Sequence, residues 1–402
     1  MKHNFRIIIG MLLFAIPLCM NAQVKPVKPK QEAKTEKTEQ EKLEKEKAKK
    51  DQKEKEKHEK PGKSPFNSEM LKLSGFVQGM YQANVNDEGE LTSNTFRMRR
   101  VRLSVDGTLV KGLTYKIQGD FSRSPMLVDA FLKYKVADGF AIQFGQFKTP
   151  FSIESPINPV NLEIFDYGEG IQKLVGYSDV CGVGGLGRDI GLMATGSLFP
   201  VKGEEGIKYH VVDYAIGVFN GNGLNTTDNN NRKDIVGRLE VHPGLKALTL
   251  SGSYYYGKYT KDDNKNCDRK RWAAGAQYND GKLVVRGEYL NGTTGYYNDI
   301  FDNENNPIEQ YQLSNGYYAV AGYNFKLGKE GKQTLMPVLR YEHFEPGDKN
   351  AQVMGSTNYY TVGINYWPLK SVNFKVDYSL VQTVADEKVN SHRVVGILSY
   401  KF

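Results

Sequence analysis

Apolar and polar residues alternate along most of the chain beyond residue 68. In the stretch LKLSGFVQGMYQANV, Leu71, Leu73 and Val77 begin one face, and lysine, serine and glutamine occupy the other. A period of two predicts β-strands, whose side chains point to opposite faces in turn. Helical periodicity is nearly absent here. The alternation defines sixteen segments: 71–85, 96–109, 113–122, 127–137, 140–148, 189–199, 208–219, 234–242, 248–258, 271–279, 282–290, 317–327, 334–344, 358–367, 371–382 and 392–402.

The connections between these segments also alternate, in length. Every second connection is short, as in VKG, ADG and NDG, whereas the others are mostly longer and polar, as in NGNGLNTTDNNNRK. Short turns at one rim and long loops at the other are typical of outer-membrane barrels, whose tilted strands need about 9–11 residues. Such a sheet must close, because hydrocarbon cannot satisfy an open edge. Residues 68–402 are therefore predicted to form an all-β, 16-stranded antiparallel transmembrane β-barrel.

Four arginines lie close together in FRMRRVRLSVDGTL, residues 96–109. The alternation points Arg100 and Arg102 into the lumen, because an arginine facing the middle of the bilayer would cost roughly 2–4 kcal/mol. Arg97 and Arg99 have the opposite parity. We expect them at the loop end of the strand, where arginine reaches water or lipid phosphates.

The same parity turns charged side chains of other strands inward, which predicts a wet lumen that is neither plugged nor greasy. Six of these charges form three Arg-x-Glu pairs, at 238/240, 286/288 and 340/342. Two interpretations stay open for the pairs: they hold the wall by pairing, or they line a path that favours anions. The predicted pore-lining and anion-binding residues are Arg100, Arg102, Lys116, Lys133, Lys135, Arg286 and Arg340.

The third long connection, residues 149–188, is much longer than a hairpin needs. A loop of this length is usually functional or disordered, and folding it inward would narrow a wide barrel. A short helix is expected after Pro159. GVGGLG, residues 182–187, matches a nucleotide-binding glycine pattern but follows a loop and opens a strand, so we interpret it as a loop return. The predicted constriction-loop residues are Pro150, Phe151, Arg188 and Asp189.

The formal charge of +8 is unevenly distributed. Lys2 and Arg6 carry +2, residues 25–60 carry +4, and the rest of the chain carries +2. A nucleic-acid-binding domain should concentrate its positive charge on the folded part. This distribution argues against nucleic acid as a partner.

The first residues have the order of a secretory signal: two basic residues, the apolar run IIIGMLLFAIPL, and a cleavage point after Ala22. We expect a signal peptide at 1–22. Residues 23–67, rich in lysine and glutamate, lack the apolar heptads of a coiled coil and are expected to be a periplasmic linker, disordered or a single helix. An inert linker and a cell-wall contact through residues 25–60 are the two alternatives for its role.

No constellation of catalytic residues stands out. The six histidines are His3, His58, His210, His242, His343 and His392, and none belongs to a recognisable serine or cysteine arrangement or metal-ligand spacing. We therefore predict no enzyme activity, no cofactor and no metal. Two cysteines remain beyond the leader, Cys181 and Cys267, which are either free thiols, the favoured interpretation, or a disulfide.

The segments FRMRRVRLSVDG, YKIQGDFS, DAFLKYKV and FGQFKTPFS, in this order, resemble the phosphate-selective porin O and P family of outer-membrane porins. The resemblance covers about residues 70–402. It implies a homotrimer of sixteen-stranded barrels in a Gram-negative outer membrane, in contact with lipid and lipopolysaccharide. It also implies an inward-folded third loop and an anion path lined by lysine and arginine.

The predicted function is a water-filled channel for passive diffusion of small hydrophilic solutes, with a preference for anions, phosphate among them. The alternative is an adhesin or structural envelope protein that acts through its extracellular loops. Loop binding to host ligands, or conductance of solutes, separates the two.

Overall fold

The computed structural model describes residues 69–402, apart from residues 204–205, 262–264, 303, 305–306, 329, 350–351 and 354. The predicted signal peptide (1–22) and linker (23–67) lie outside the described residues.

Nearly all of the described chain is antiparallel β-sheet. The strands are β1 (Lys72–Asn86), β2 (Leu91–Val110), β3 (Leu113–Asp120), β4 (Leu127–Ala137), β5 (Phe140–Lys148), β6 (Arg188–Gly203), β7 (Gly206–Phe219), β8 (Asp234–Val241), β9 (Leu248–Lys261), β10 (Lys265–Asn279), β11 (Leu283–Phe301), β12 (Pro307–Tyr323), β13 (Phe325–Leu327), β14 (Gln333–Glu345), β15 (Asp348–Lys349), β16 (Gln352–Val353), β17 (Ser356–Leu369), β18 (Val372–Val384) and β19 (Lys388–Lys401).

Seventeen of these segments form the sixteen wall strands of a closed barrel. β12 and β13 pair successively along β14, so together they make one wall strand. β15 and β16 form a separate small hairpin in the loop after β14. β1 pairs with both β2 and β19, which closes the sheet. The predicted 16-stranded antiparallel barrel is confirmed.

The closing seam uses the last residue of the chain. The Gly75 amide donates to the Phe402 carbonyl at 3.0 Å, and the Phe402 amide donates back to the Gly75 carbonyl at 3.1 Å. The ladder between β1 and β19 then runs from Phe76 opposite Lys401 to Asn86 opposite Ser391. No backbone edge is left unpaired at this seam, as an apolar surrounding requires.

The alternation in sequence becomes the two faces of the wall. Ile117, Leu132 and Phe144 point outward and are exposed, whereas Gln118 and Asp129 point inward and are buried. An apolar outer band and a polar inner face are the arrangement of a barrel in lipid.

Several strands run well beyond their predicted ends. β9 extends to Lys261, and β10 begins as early as Lys265. β11 extends to Phe301, and β12 begins at Pro307. The predicted segments leave residues 259–270 and 291–316 as long loops, and this prediction was wrong, because most of these residues belong to strands. A ladder of backbone hydrogen bonds forms in water as well as in lipid, so polar side chains alone do not end a strand.

Two short helical segments lie between β5 and β6. A 3₁₀ turn spans Pro159–Asn161, and α1 spans Glu169–Leu174. The Asn158 side chain caps the turn by accepting from the Val160 amide at 3.3 Å. Among the described residues, no helix is long and apolar enough to cross a membrane.

The apolar core lies inside the barrel. Side chains between β5 and β6, including Phe151, Leu162 and Ile171, pack against inward residues of the wall such as Val236 and Leu290. The prediction that the lumen is nowhere plugged or greasy was therefore wrong for this part of the barrel. The alternation did not predict this core, because an apolar residue that faces the lumen gives no sign in the sequence that a loop will pack on it.

Gly145 on β5 marks a close approach between strands. Its φ is +131°, and a Cβ atom there would lie 2.2 Å from the carbonyl oxygen of Ala130. We expect Gly145→Ala to destabilise the folded barrel by roughly 1–3 kcal/mol from backbone strain alone. The temperature at which the folded band unfolds in an SDS gel measures the effect. Gly252→Ala is the control, because a Cβ at Gly252 has no atom within 4 Å; equal temperatures for both variants would contradict the prediction.

Candidate pore constriction

The connection between β5 and β6, residues 149–187, crosses the lumen; we call it the third loop. The Thr149 amide donates to the Gly187 carbonyl at 2.9 Å and closes the base of the loop. Phe165, near the far tip, packs against Met80, Val395 and Ile397 on strands β1 and β19. The loop therefore reaches from its root at β5 and β6 to the closing seam of the barrel.

Glu154 fastens the loop to one part of the wall. Its carboxylate lies 2.7 Å from Arg340 Nη1 and 3.5 Å from Arg286 Nη2, and its side chain is fully buried. Arg286 also pairs with Glu163 of the loop at 2.5 Å. Burial opposes ionisation of Glu154, but Arg340 and Arg286 outweigh it and keep the pKa of Glu154 below its ordinary value.

Asp166 fastens the tip of the loop to β2. Its carboxylate lies 2.8 Å from Arg99 Nη2 and 3.2 Å from Arg100 Nη2. Although the site is buried, the two arginines lower the pKa of Asp166 strongly. The carboxylate therefore stays charged and keeps the tip against the wall.

Asp179 fastens the returning part of the loop to β10. Its two oxygens lie 2.6 Å from the two terminal nitrogens of Arg271, a bidentate geometry, and 4.0 Å from Arg269 Nη1. Like Glu154 and Asp166, this carboxylate is held by two wall arginines. We call Glu154, Asp166 and Asp179 the latch acids.

A β-bulge brings Arg99 inward. Gln78 of β1 lies opposite Arg100, but the next residue, Gly79, lies opposite Met98, so Arg99 is the extra residue. The parity assigned to Arg97 and Arg99 was wrong, because a bulge shifts every position beyond it by one. Arg99 therefore binds Asp166 of the third loop and does not lie at the boundary with lipid.

Arg286 and Arg340 lie beneath the loop. They face the lumen side of the wall, as the alternation predicts, but only 1% and 3% of their surfaces are exposed. Their partners are loop carboxylates far away in sequence, so they hold the loop and do not line the passage. Of the Arg-x-Glu pairs, Arg238 meets Glu240 at 3.3 Å and Arg340 meets Glu342 at 3.2 Å.

Glu288, the acid of the remaining pair, has a different role. It accepts hydrogen bonds from the Ser152 hydroxyl at 2.8 Å and the Ile153 amide at 2.9 Å. It therefore supports the start of the third loop.

A space remains between the edge of the third loop and the wall of β2–β8. It has a volume of about 340 Å³, and we call it the constriction. The cationic residues that line it are Arg102, Lys116, Lys148, Arg188 and Arg238. Asp129 is the one carboxylate among the described residues that line it.

The five cations are held in different ways. Arg102 pairs with Asp120 at 2.9 Å, and Arg188 donates two hydrogen bonds to Asp129, of 2.7 and 3.2 Å. Arg238 pairs with Glu240 at 3.3 Å and donates to the Ser152 carbonyl at 3.1 Å. Lys148 donates to the Tyr167 hydroxyl at 2.9 Å and to backbone carbonyls of the loop. In the described part of the chain Lys116 forms no ion pair. Its charge is therefore available to a passing solute.

The loop edge that faces these cations is uncharged. It contributes Pro150, Pro156, Asn158 and Pro159 to the lining. The latch acids are bound to arginines elsewhere, so the loop places no carboxylate in the constriction. Fixed charges of one sign that outnumber the opposite charges near them attract ions of the opposite sign into a pore.

Other predicted residues lie apart from the constriction. Lys133 and Lys135 line a separate space of about 350 Å³ together with Asp138, Asp213 and Glu240. Lys135 pairs with Asp138 at 2.7 Å. Arg100 is bound to Asp166, as described above.

Of the four predicted constriction-loop residues, two line the constriction and two do not. Pro150 lines the constriction, but Phe151 is fully buried in the core beneath the loop. Arg188 and Asp189 begin β6; Arg188 lines the constriction, and Asp189 accepts from the Gly221 amide at 2.6 Å. Prediction missed Lys148 and Arg238 as constriction residues. The alternation already turned Arg238 inward, and Lys148 directly precedes the loop.

The GVGGLG segment and the two cysteines have structural roles. Gly185 donates its amide to the Gly176 carbonyl at 2.9 Å in the loop return. Cys181 and Cys267 are both buried thiols that are not joined in a disulfide, and each packs with Tyr259. Burial raises the pKa of the Cys181 thiol to about 11.

A closed sixteen-stranded barrel narrowed by an internal loop is the architecture of a porin. The chain belongs to the family of phosphate-selective porins O and P, whose model matches residues 71–291. It is an outer-membrane channel protein. No curated protein matches the chain.

Solved structures with the same fold include several porins. The anion-selective porin from Comamonas acidovorans is 16% identical, with a TM-score of 0.57 over 83% of this chain and 99% of that chain. OmpF of Salmonella typhi, in complex with daunomycin, is 16% identical, with a TM-score of 0.59 over 83% and 97%. OmpT of Vibrio cholerae, in a trimer form, is 14% identical, with a TM-score of 0.53 over 83% and 100%. These TM-scores show that the chain shares the fold of these proteins.

The latch at the loop tip can be tested by Asp166→Asn. The variant leaves Arg99 and Arg100 without their carboxylate, which weakens tip anchoring by about 1.5–3 kcal/mol. We expect a larger and noisier single-channel conductance in planar bilayers. Asp138→Asn removes an exposed acid paired with Lys135 outside the third loop and serves as the control. Unchanged conductance in Asp166→Asn would show that the tip is held by apolar packing alone.

Proposed function

We propose that this porin prefers anions and that the constriction sets the preference. The observation that carries the proposal is the charge of the lining, in which five basic side chains meet one carboxylate, Asp129, across from a neutral loop edge. Asp120 and Glu240, outside the lining, pair with Arg102 and Arg238 and offset part of this charge, so that basic residues still exceed acidic ones. An anion in this space meets a favourable potential, and a cation meets an unfavourable one. The family name, phosphate-selective porin O and P, supports the same preference.

Four of the predicted pore-lining residues keep a role in solute passage in this proposal. Arg102 and Lys116 act in the constriction itself, together with Lys148, Arg188 and Arg238. Lys133 and Lys135 attract anions in the adjoining space nearer the short turns. Arg100, Arg286 and Arg340 act indirectly, by holding the third loop.

Passage is passive and needs no reaction chemistry, so the proposed protein is a channel and not an enzyme. We place it in the outer membrane of a Gram-negative bacterium, in contact with lipid and lipopolysaccharide. We infer a homotrimer, which the trimer form of the OmpT structure supports. In this proposal residues 1–22 are a signal peptide, 23–67 a periplasmic linker and 68–402 the porin barrel.

The reversal potential of the purified protein across a KCl gradient tests the anion preference. We expect a potential of the sign given by chloride, and Lys116→Gln should lower the anion-to-cation permeability ratio by roughly two- to five-fold, since one nearby charge in water contributes about 1 kcal/mol. Lys116 lies opposite Asp106 in the strand ladder but forms no ion pair with it in the described part of the chain, so the variant should fold normally.

Lys370→Gln is the matched control, because Lys370 is exposed on the turn between β17 and β18. The control should leave the ratio unchanged. A potential of the sign given by potassium in the unmodified protein would overturn the proposed anion preference.

A further inference from the structure

The constriction combines positive charge with apolar surface. Besides its cations, its lining includes Phe131, Met193 and Ala215 of the wall and the prolines of the loop edge. Pro156 is exposed and Phe131 is half-buried, so both present apolar atoms to the passage. A lining of this kind is unusual for a site that needs only to attract a hydrated ion.

A cation and an aromatic ring are direct neighbours on this lumen face. Lys116 of β3 lies opposite Phe131 of β4 in the strand ladder, a position in which side chains on one face are about 4.5–5.5 Å apart at Cβ. The Phe131 ring meets the Phe147 ring edge-on, with centroids 5.9 Å apart. This contact holds an apolar surface on one side of Lys116, which has Asp106 opposite it on its other side, in β2.

The two kinds of surface discriminate between anions. A phosphate or chloride ion that sheds water against the prolines and Phe131 gains no hydrogen bond there, and that loss opposes its entry. An anion with a compact hydrocarbon body places its carboxylate near Lys116 and its body against the apolar atoms. The charged group of the solute then lies near a charge and its apolar part against apolar atoms, and the burial of apolar area adds to the electrostatic attraction.

We propose that the constriction selects organic anions that join one carboxylate to a compact apolar body, such as a small aromatic acid, over inorganic anions and over carboxylates without such a body. This inference rests on the proposed anion preference and specifies its substrate class. The space of about 340 Å³ is large enough for a solute of this size beside bound water.

Block of the chloride current by added anions tests the inference. Benzoate, acetate and phosphate are titrated at neutral pH against the single-channel chloride current of the full-length protein. We expect benzoate to halve the current at a concentration about five- to ten-fold below that of acetate, as burial of one ring face against apolar atoms implies. Phosphate should block less well than benzoate.

Two variants separate the apolar contribution from the charge. Phe131→Thr, which keeps a residue suited to a strand, should bring the benzoate and acetate concentrations within about two-fold of each other. Pro156→Ser, on the exposed loop edge, should reduce the difference without touching the wall. Phe325→Thr is the control, because Phe325 is exposed on β13 away from the constriction; it should behave as the unmodified protein does.

The outcomes distinguish the two proposals. Equal block by benzoate and acetate in a channel that still prefers chloride to potassium would overturn the organic-anion inference and leave the anion preference intact. A benzoate advantage that persists in both Phe131→Thr and Pro156→Ser would also overturn it. A channel without any anion preference would overturn the proposed function itself.

Discussion

Capture of the third loop's carboxylates by wall arginines is the interaction on which the rest of the structure depends. Glu154, Asp166 and Asp179 are each held by two wall arginines, which lie on β11 and β14 for Glu154, on β2 for Asp166 and on β10 for Asp179. A buried carboxylate is stable only when such partners replace its water, and removing one partner leaves an uncompensated charge. The loop can therefore occupy one position across the lumen, and that position decides where the passage runs.

The same interaction decides the charge of the passage. The barrel interior carries acids and bases on many strands, and its overall balance predicts little selectivity. Because the loop acids are bound to arginines beneath and beyond the loop, neutral residues such as Asn158 and Pro156 are left at its open edge. The wall cations opposite that edge then act on solutes without a facing set of carboxylates.

The wall of the barrel could be predicted from sequence because a period of two is a local signal. Closure, strand number and the inward direction of Arg102 and Lys116 all follow from it. The bulge at Arg99 could not be predicted, since an extra residue changes parity without changing composition. The lengths of β11 and β12 were missed because strands in water need no apolar face.

The arrangement inside the barrel was the least predictable part. Arg286 and Arg340 have the parity of pore-lining residues, but their partner Glu154 is more than a hundred positions away, and no periodicity links them. The path of a long loop depends on such distant pairs. Lys148 was missed for the same reason: its contacts with the loop exist only after the loop has folded inward.

The most direct test of this account places a carboxylate on the neutral loop edge. Asn158 is exposed there and lines the constriction together with the wall cations. Asn158→Asp replaces the amide NH2 group by a carboxylate oxygen, which adds one negative charge with almost no change in size. The measurement is the reversal potential of Asn158→Asp beside that of the unmodified protein in the same KCl gradient. The account predicts that the anion preference falls sharply or disappears. An anion preference equal to that of the unmodified protein would contradict it, because selectivity would then not depend on the charge balance across the constriction.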